Sequence, residues 1–383
     1  MVKNIIISID SFSDLNYEEK KEYNKLINDW VDNGRIVVFT ARQDKRFKEL
    51  TSDNFKWNEG VSYCNRDNLK AAIDSSEFKI SSFVVVGNKD RDMTFAANNK
   101  LFFINPIWCR DIQNGANQYG LPIRTINGLK KLIKILENQN DWFFELEVDE
   151  KTTVLSLMSA NDLGMHSDEE RELIKGFREY LKKGNYRYYY ILLYHFLAGI
   201  SSREEFREIK DWAIFPSSGT ELNPEMYSFK ERARCLMNGK KIYPMFERKT
   251  PILKSHESRK YGFDRIPCDR HFDSIRINKK YKGKLKNRVV CVFDDYSTNG
   301  TSFEVVRNLL LREGVKKIYC VSLGRFGYER QPYYKQDYEI NGDFFSGEDI
   351  NYTLKSRNNI SHQGKINRGA IKEIEKLYDI VFN

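Results

Sequence analysis

The chain has 383 residues, with 63 Lys and Arg against 54 Asp and Glu, a formal net charge of +9. That length holds two or three domains with cores of their own, and 40% hydrophobic with 14% aromatic residues excludes disorder over most of it. The positive balance admits anionic partners, whether phosphorylated small molecules or nucleic acid, and selects neither.

The opening VKNIIISID reads as a strand, too short for a signal peptide and without a small-residue cleavage site. Through about residue 135, apolar strands (NIIISID, GRIVVFTAR, SSFVVVGN, KLFFINP) alternate with helix patterns such as YEEKKEYNKLINDWVDN and NRDNLKAAIDSS. Strands that are apolar throughout, alternating with helices, predict a parallel sheet covered on both faces. From 136 to 205 the pattern turns helical. Ser167 and Glu170 form a capping box for a helix that Gly184 is placed to stop. The apolar stretch YYYILLYHFLAGI is shorter than the about 20 residues of a membrane span, so it reads as a buried helix and no membrane partner is expected. SSREEFREIKD repeats the Ser-x-x-Glu start.

Strands return as DWAIFPSSG, KKIYPMFE, NRVVCVFDD and KKIYCVSLG, a second α/β unit over 206–327. Residues 328–383 hold a basic, Asn-rich extension and a last amphipathic helix, whose Ile371, Ile374 and Val381 are expected to dock on the body. Cys64, Cys109, Cys235, Cys268, Cys291 and Cys320 form no CxxC pair, and the five histidines show no metal-ligand spacing. Buried thiols in a reducing cytosol, with no zinc site, are expected, and hence a cytoplasmic protein.

The most informative run is VCVFDDYSTNGTS at 290–302. Two aspartates at the end of a buried strand are costly without partners. The small-residue loop after them feeds a helix, so several N–H groups and a positive dipole end converge as a phosphate cradle. The carboxylates upstream suit hydroxyl groups, such as a ribose diol, or a magnesium-bound ligand. The bland alternative is a strand, an Asx-rich turn and a helix.

This run resembles the signature of type I phosphoribosyltransferases. Asp294, Asp295, Thr298 and Gly300 match it directly, Ser302 replaces its last threonine, Asn299 its second, and Tyr296 stands where an aliphatic residue is usual. AIFPSSGTE at 213–221 is similar to the family's pyrophosphate loop, with Ser217, Ser218 and Gly219 in the cradle. ERKTPILKSHESRKYGFDRI at 247–266 resembles its mobile basic loop, with Arg248, Lys249, Lys254 and Arg259. The order looks like the competence protein F branch, without its zinc ribbon, over 206–327. The resemblance implies Mg2+-dependent displacement at the anomeric carbon of phosphoribosyl pyrophosphate. Asp294 and Asp295 would be the catalytic pair on the ribose hydroxyls, and Ser297, Thr298, Asn299, Gly300, Thr301 and Ser302 would hold the 5′-phosphate. The acceptor, a base, nucleotide or related compound, falls to the variable segment 140–210, which carries no readable motif.

The first unit resembles the haloacid dehalogenase superfamily. Asp10 matches the nucleophile, Thr40 the phosphate-binding threonine and Asp92 a magnesium ligand, with Lys70 or Lys79 as the phosphate-binding lysine. The resemblance implies Mg2+ at Asp10 and Asp92. Phe12 occupies the acid/base position and cannot transfer a proton, Asn88 replaces a common acidic residue, and Asp14 lies on the wrong side of the turn to substitute. A degenerate domain is therefore expected, with a phosphatase as the alternative. The expected fold is α/β, two Rossmann-like parallel-sheet domains (1–135 and 206–327) joined by the helical segment 136–205.

Fusions of these two domain types resemble accessory proteins of bacterial stress-resistance and phage-defence loci, which implies a protein or nucleoprotein complex as partner. In that setting the same site reads alternatively as a sensor of phosphoribosyl pyrophosphate or a nucleotide, without turnover. Lys355, Arg357, Lys365 and Arg368 make a basic stretch that would meet nucleic acid there, or else a solvated surface.

Overall fold

The computed structural model describes residues 3–51, 55–138, 142–161, 168–183, 186–240, 243–253, 262, 264–327 and 331–382. The first unit is built on β1 (Asn4–Ser8), β2 (Val37–Ala41), β3 (Val61–Asn65), β4 (Phe83–Val86), β5 (Phe102–Pro106) and β6 (Leu121–Ile123). They form one parallel sheet in the order β3-β2-β1-β4-β5-β6. β1, β2 and β4 are buried along their whole length, as their apolar centres dictate. Around the sheet lie α1 (Asp10–Ser13), α2 (Tyr17–Asp32), α3 (Leu69–Asp74), α4 (Asp90–Asn99), α5 (Asn114–Tyr119) and α6 (Ile126–Asn138). The strands that the sequence reading omits, β3 and β6, are the two edges. β3 is half-exposed and polar, and β6 has three residues with a proline in the middle; neither carries the apolar run that marks a central strand.

The second sheet extends into the segment read as wholly helical. β7 (Phe144–Asp149) and β8 (Thr152–Ser159) form an antiparallel hairpin within 136–205, and this corrects that reading. β7 alternates, with Phe144, Leu146 and Val148 inward and Glu145 and Glu147 less buried, the period-2 signature of a strand. α7 (Asp168–Lys183) and α8 (Tyr186–Ser202) then follow as expected, while Ser167 and Gly184, its proposed cap and stop, lie outside the described residues. Ser201 and Ser202 finish α8 rather than start a helix, and only a 3₁₀ turn at Glu204–Glu208 comes after.

Next come β9 (Asp211–Ile214), α9 (Pro224–Leu236), β10 (Phe246–Arg248), α10 (Asp269–Ser274), β11 (Ile275–Ile277), β12 (Val289–Ser297), α11 (Thr301–Arg312) and β13 (Lys317–Arg325). The strand expected at KKIYPMFE is confined to β10, which pairs only with β11, apart from the main sheet. The chain ends with the hairpin β14 (Tyr334–Asp343) and β15 (Glu348–Asn359), then β16 (Lys365–Ile366) and α12 (Gly369–Phe382). The main sheet runs β16-β7-β8-β13-β12-β9 and is mixed: β8, β13, β12 and β9 are parallel, β7 is antiparallel to β8, and β16 is antiparallel to β7. The α/β class holds for both units, but a wholly parallel sheet only for the first.

α12 docks as expected, with Ile374 buried and Ile371 packed against the core; the Val381 side chain lies outside the described residues. One hydrophobic cluster joins the sheet of the first unit, α6 and α8 to one face of the second sheet through Leu155, Cys291, Phe293 and Val321. The other face, with Val290, Val292, Ile318 and Cys320, packs under α11. A reciprocal clasp adds to this: Arg207 donates to the carbonyls of Asn99 (2.7 Å) and Lys100 (3.2 Å), and the Lys100 ammonium to that of Arg207. No helix among the described residues is long and apolar enough to cross a membrane. The YYYILLYHFLAGI stretch lies in α8, with Ile191, Leu192, Leu193 and Phe196 fully buried.

Candidate functional site

β9 and β12 are parallel neighbours, Ile214 opposite Phe293, and the Phe215 N–H donates to the Phe293 carbonyl at 2.7 Å. The loops that follow them therefore leave the sheet side by side at its C-terminal edge, the place where open α/β sheets bind ligands. Between them lies a cavity of about 420 Å³, walled on one side by the unbroken run Asp294–Phe303 and on the other by Phe215–Ser218. Seven residues of the catalytic and phosphate predictions and two of the pyrophosphate predictions line it in addition to Ser302, and Arg248 closes one wall.

Gly300 sets the turn into α11. Its φ of +83° is left-handed, and a Cβ there would sit 2.2 Å from the Tyr333 ring, so both backbone and space require glycine. Glu304 is the first residue of the helix to bond back, to the Gly300 carbonyl at 2.9 Å. The N–H groups of Thr301, Ser302 and Phe303 precede that bond at the cavity wall, at the positive end of the helix.

Asp294 and Asp295 stand half-buried at the cavity with no cation in ion-pair contact among the described residues. Asp294 Oδ1 accepts the Asp295 N–H (2.9 Å) and Asp295 Oδ1 the Tyr296 N–H (2.6 Å). Burial pushes Asp294 well above the usual carboxylate range, helped by the Asp295 charge, and burial raises Asp295 as well.

The other loop side chains are used differently than expected. Ser297 is buried and joins Ser322 (3.0 Å) and Ser156 (3.4 Å) across the strand ends. The Thr301 hydroxyl faces the carbonyls of Arg265 and Ile266 at 3.0 and 3.1 Å. Asn299 Oδ1 accepts from Gln331 at 2.6 Å. The loop thus offers N–H groups, with its polar side chains tying it to the body.

Among the pyrophosphate candidates, Ser217 and Ser218 line the cavity and Gly219 does not. The Ser217 hydroxyl donates back to the Glu221 carbonyl at 3.0 Å. Arg248 is buried behind this loop, bonded to the Pro216 carbonyl (3.1 Å), the Ser217 carbonyl and Ser274. Lys249 points away, exposed and paired with Glu247 at 2.7 Å, which removes it from the cavity. Lys254 and Arg259 lie outside the described residues. Of the cavity-wall residues that went unnamed in the sequence reading, three are titratable: Arg265, Arg270 and His271. Their only sequence signal was the basic character of FDRIPCDRHF. His271 is buried and its pKa falls to about 3, through burial first and then the Arg248 and Arg270 charges, so the ring is neutral.

The first unit gathers its predicted residues at the ends of β1, β2 and β4, but fills the site itself. Asp10 is ion-paired to Arg46 and, at 3.2 Å, to Lys89. Against the cost of burial, these partners hold its carboxyl below the usual range. Asp92 is paired with Arg66 at 2.7 Å and accepts the Lys89 N–H at 3.2 Å, and burial nevertheless raises it. The lysine that meets Asp10 is Lys89; Lys70 is exposed and paired with Asp74, and Lys79 is exposed. Thr40 is buried, and its Oγ1, like Asn88 Oδ1, has no hydrogen-bond partner among the described residues. Phe12 is wholly buried among Tyr23, Phe39, Phe55 and Trp57. Asp14 accepts the Arg110 N–H at 2.9 Å.

These environments decide where magnesium fits. At Asp10 and Asp92 three cationic side chains already hold the carboxylates, so the residues do not fit a divalent ion. Asp294 and Asp295 have no such partners among the described residues. Among the described residues no group of three or more His, Cys, Asp and Glu is arranged around a metal position; two carboxylates completed by ligand phosphates are the usual magnesium arrangement, and the pair fits it. In the C-terminal stretch, Lys355 pairs with Glu339 across the β14–β15 hairpin. Arg357 is half-buried, while Lys365 and Arg368 are exposed. Acidic residues on the facing strand interrupt the basic surface. No protein-family model matches the chain, and no curated protein matches it.

Proposed function

We propose that the chain is a magnesium-dependent phosphoribosyltransferase that binds phosphoribosyl pyrophosphate between the β9 and β12 loops. The supporting observation is that the whole run Asp294–Phe303 lines one cavity with Ser217 and Ser218, with no cation in ion-pair contact with its two carboxylates among the described residues. Asp294 and Asp295 hold the ribose hydroxyls, directly or through magnesium. The N–H groups of Thr301, Ser302 and Phe303 receive the 5′-phosphate, and the 216–218 loop with Arg265 and Arg270 receives the pyrophosphate. A nucleophilic atom of the acceptor, a base, nucleotide or related compound, bonds to the anomeric carbon as its bond to pyrophosphate oxygen breaks. Pyrophosphate leaves with the electron pair and the acceptor releases its proton to water. Magnesium, when bound, supplies positive charge to the departing group.

A sensor that binds without turnover is the second reading, favoured by the internal bonding of Ser297, Asn299 and Thr301. As enzyme or sensor, a subunit role in a bacterial stress or phage-defence complex is part of the proposal. The environments of Phe12 and Asp10 give a phosphatase no support.

Calorimetric titration of phosphoribosyl pyrophosphate with magnesium tests the site. Wild type should bind, and Asp294→Asn/Asp295→Asn should lose at least 100-fold in affinity, about 2.7 kcal/mol. A folded wild type that does not bind overturns the proposal. Pyrophosphate release over a panel of bases and nucleotides separates enzyme from sensor.

A further inference from the structure

Buried arginines in this protein fall into two groups. Arg307, 3% exposed, is bonded to Glu304, Asp149 and Asp337. Arg234, 9% exposed, is paired with Glu231 at 2.6 Å. Each is neutralised, as a buried charge normally must be. Arg248 and Arg325, 5% and 3% exposed, have no carboxylate in ion-pair contact among the described residues. Arg248 lines the cavity, and Arg325 lies behind its other loop, bonded to the Thr298 carbonyl.

Both arginines hold carbonyls of the adjoining loop, and Arg248 is also bonded to the Ser274 hydroxyl. Arg248 donates to the carbonyls of Pro216 and Ser217. Arg325, at the end of β13, donates to the carbonyls of Thr298 (3.1 Å) and Gln331 (3.2 Å), with its guanidinium 4.0 Å over the Phe144 ring. In a trans peptide the carbonyl points opposite to the next residue's N–H. Drawing the Thr298 carbonyl inward to Arg325 therefore turns the Asn299 N–H outward. The Asn299 carbonyl accepts the Tyr334 N–H at 3.2 Å, which does the same for the Gly300 N–H. With Gly300 left-handed, these successive N–H groups form the concave nest that binds anions. Arg248 aligns the Ser217 and Ser218 N–H groups in the same manner.

We infer that Arg325 and Arg248 are positioning residues for two separate anion subsites, Arg325 for the one at 299–303 and Arg248 for the one at 217–218. Each guanidinium fixes its loop's N–H groups and brings a buried positive charge, with no carboxylate in ion-pair contact among the described residues, that an arriving anion would compensate. The cavity is thereby matched to a ligand with two anionic groups rather than one. Burial lowers both arginines to about 10, still cationic at neutral pH.

The inference rests on reading the cavity as a sugar-phosphate site, so its test uses half-ligands. Ribose 5-phosphate and inorganic pyrophosphate are titrated separately into the full-length wild type and into Arg325→Gln and Arg248→Gln, with unfolding monitored in parallel. The expected pattern is crossed. Arg325→Gln loses tenfold or more toward ribose 5-phosphate and stays within twofold toward pyrophosphate, and Arg248→Gln does the reverse. If both variants weaken both probes alike, the arginines are merely structural and the inference fails with the site reading intact. If folded wild type binds neither probe nor phosphoribosyl pyrophosphate, both fall. Should Arg325→Gln not fold, Arg325→Lys carries the test: it keeps the charge, loses the two-pronged bond, and should weaken ribose 5-phosphate alone. Equal weakening of both probes there would again overturn the inference.

Discussion

The molecule places a pair of carboxylates at the C-terminal edge of each of its two six-stranded sheets and treats them in opposite ways. At the first, Asp10 and Asp92 are held by Arg46, Lys89 and Arg66, and the protein is its own counter-ion. At the second, Asp294 and Asp295 face a cavity with no cation in ion-pair contact among the described residues, and both are raised by burial. Strand-end position alone therefore says little about function. What distinguishes the two sites is whether, among the described residues, the chain's own cations meet the electrostatic cost of burial.

The largest expected effect breaks the first of these arrangements. Arg66→Met leaves Asp92, 2% exposed, without its cation, and should cost about 3–5 kcal/mol of stability. The midpoint of guanidinium unfolding checks this, and ligand affinity of the folded fraction should not change. A loss below 1 kcal/mol would mean that the first site tolerates open carboxylates, and the contrast would collapse. Next in size is Gly300→Ala at the second site. The Tyr333 ring cannot retreat easily, because its hydroxyl donates to buried Glu304 at 2.9 Å. Left-handed strain and overpacking together should cost roughly 2–3 kcal/mol, and phosphoribosyl pyrophosphate affinity should fall with the displaced loop.

Both sites were visible in the sequence because strand–loop–helix junctions are local. Asp294, Gly300, Asp10 and Thr40 sit where a few consecutive residues place them. Their partners are not local. Arg66 reaches Asp92 across 26 positions, and Arg325 reaches Thr298 across 27, distances that no motif spans. The hairpin β7–β8 was missed for another reason: β8 is buried throughout, but its Thr152, Thr153 and Ser156 dilute the apolar run between two strongly helical stretches. The mixed sheet follows from that hairpin, so the expectation of two wholly parallel sheets failed at the same residues. Side-chain roles within the 297–302 loop were also beyond the sequence, since Thr301 and Asn299 bond to segments at 265–266 and 331.

Acid sharpens the comparison through the buried histidines. His195 and His271 are both driven to about 3, mainly by burial, against about 6.5 unfolded. The folded state then binds fewer protons than the unfolded one below pH 6.5, so stability drains as pH falls from there toward 3. At pH 5 each costs about 2 kcal/mol. His271→Gln should flatten the pH dependence between 6.5 and 5 by that amount, while the Asp10–Arg46 pair, whose acid is depressed, loses its contribution only at lower pH.

The smallest effect separates the two carboxylate sites by sign. Asp294 is raised above its unfolded value, so its folded state holds protons more tightly, and ionisation costs stability as pH rises above about 4. Neutralising it by Asp294→Asn should raise the melting temperature of the ligand-free protein at pH 7 by roughly 1–2 °C, even as it weakens ligand binding. Asp10→Asn, which removes the carboxylate that Arg46 and Lys89 share, should lower it. Phosphoribosyl pyrophosphate affinity of the wild type should correspondingly climb with pH through a range above that of an ordinary carboxylate, because the pair must ionise to hold magnesium or the ribose hydroxyls. Calorimetry of the two single variants across pH 5–8 reads both quantities. Equal signs for the two substitutions would mean that the second pair is as structural as the first.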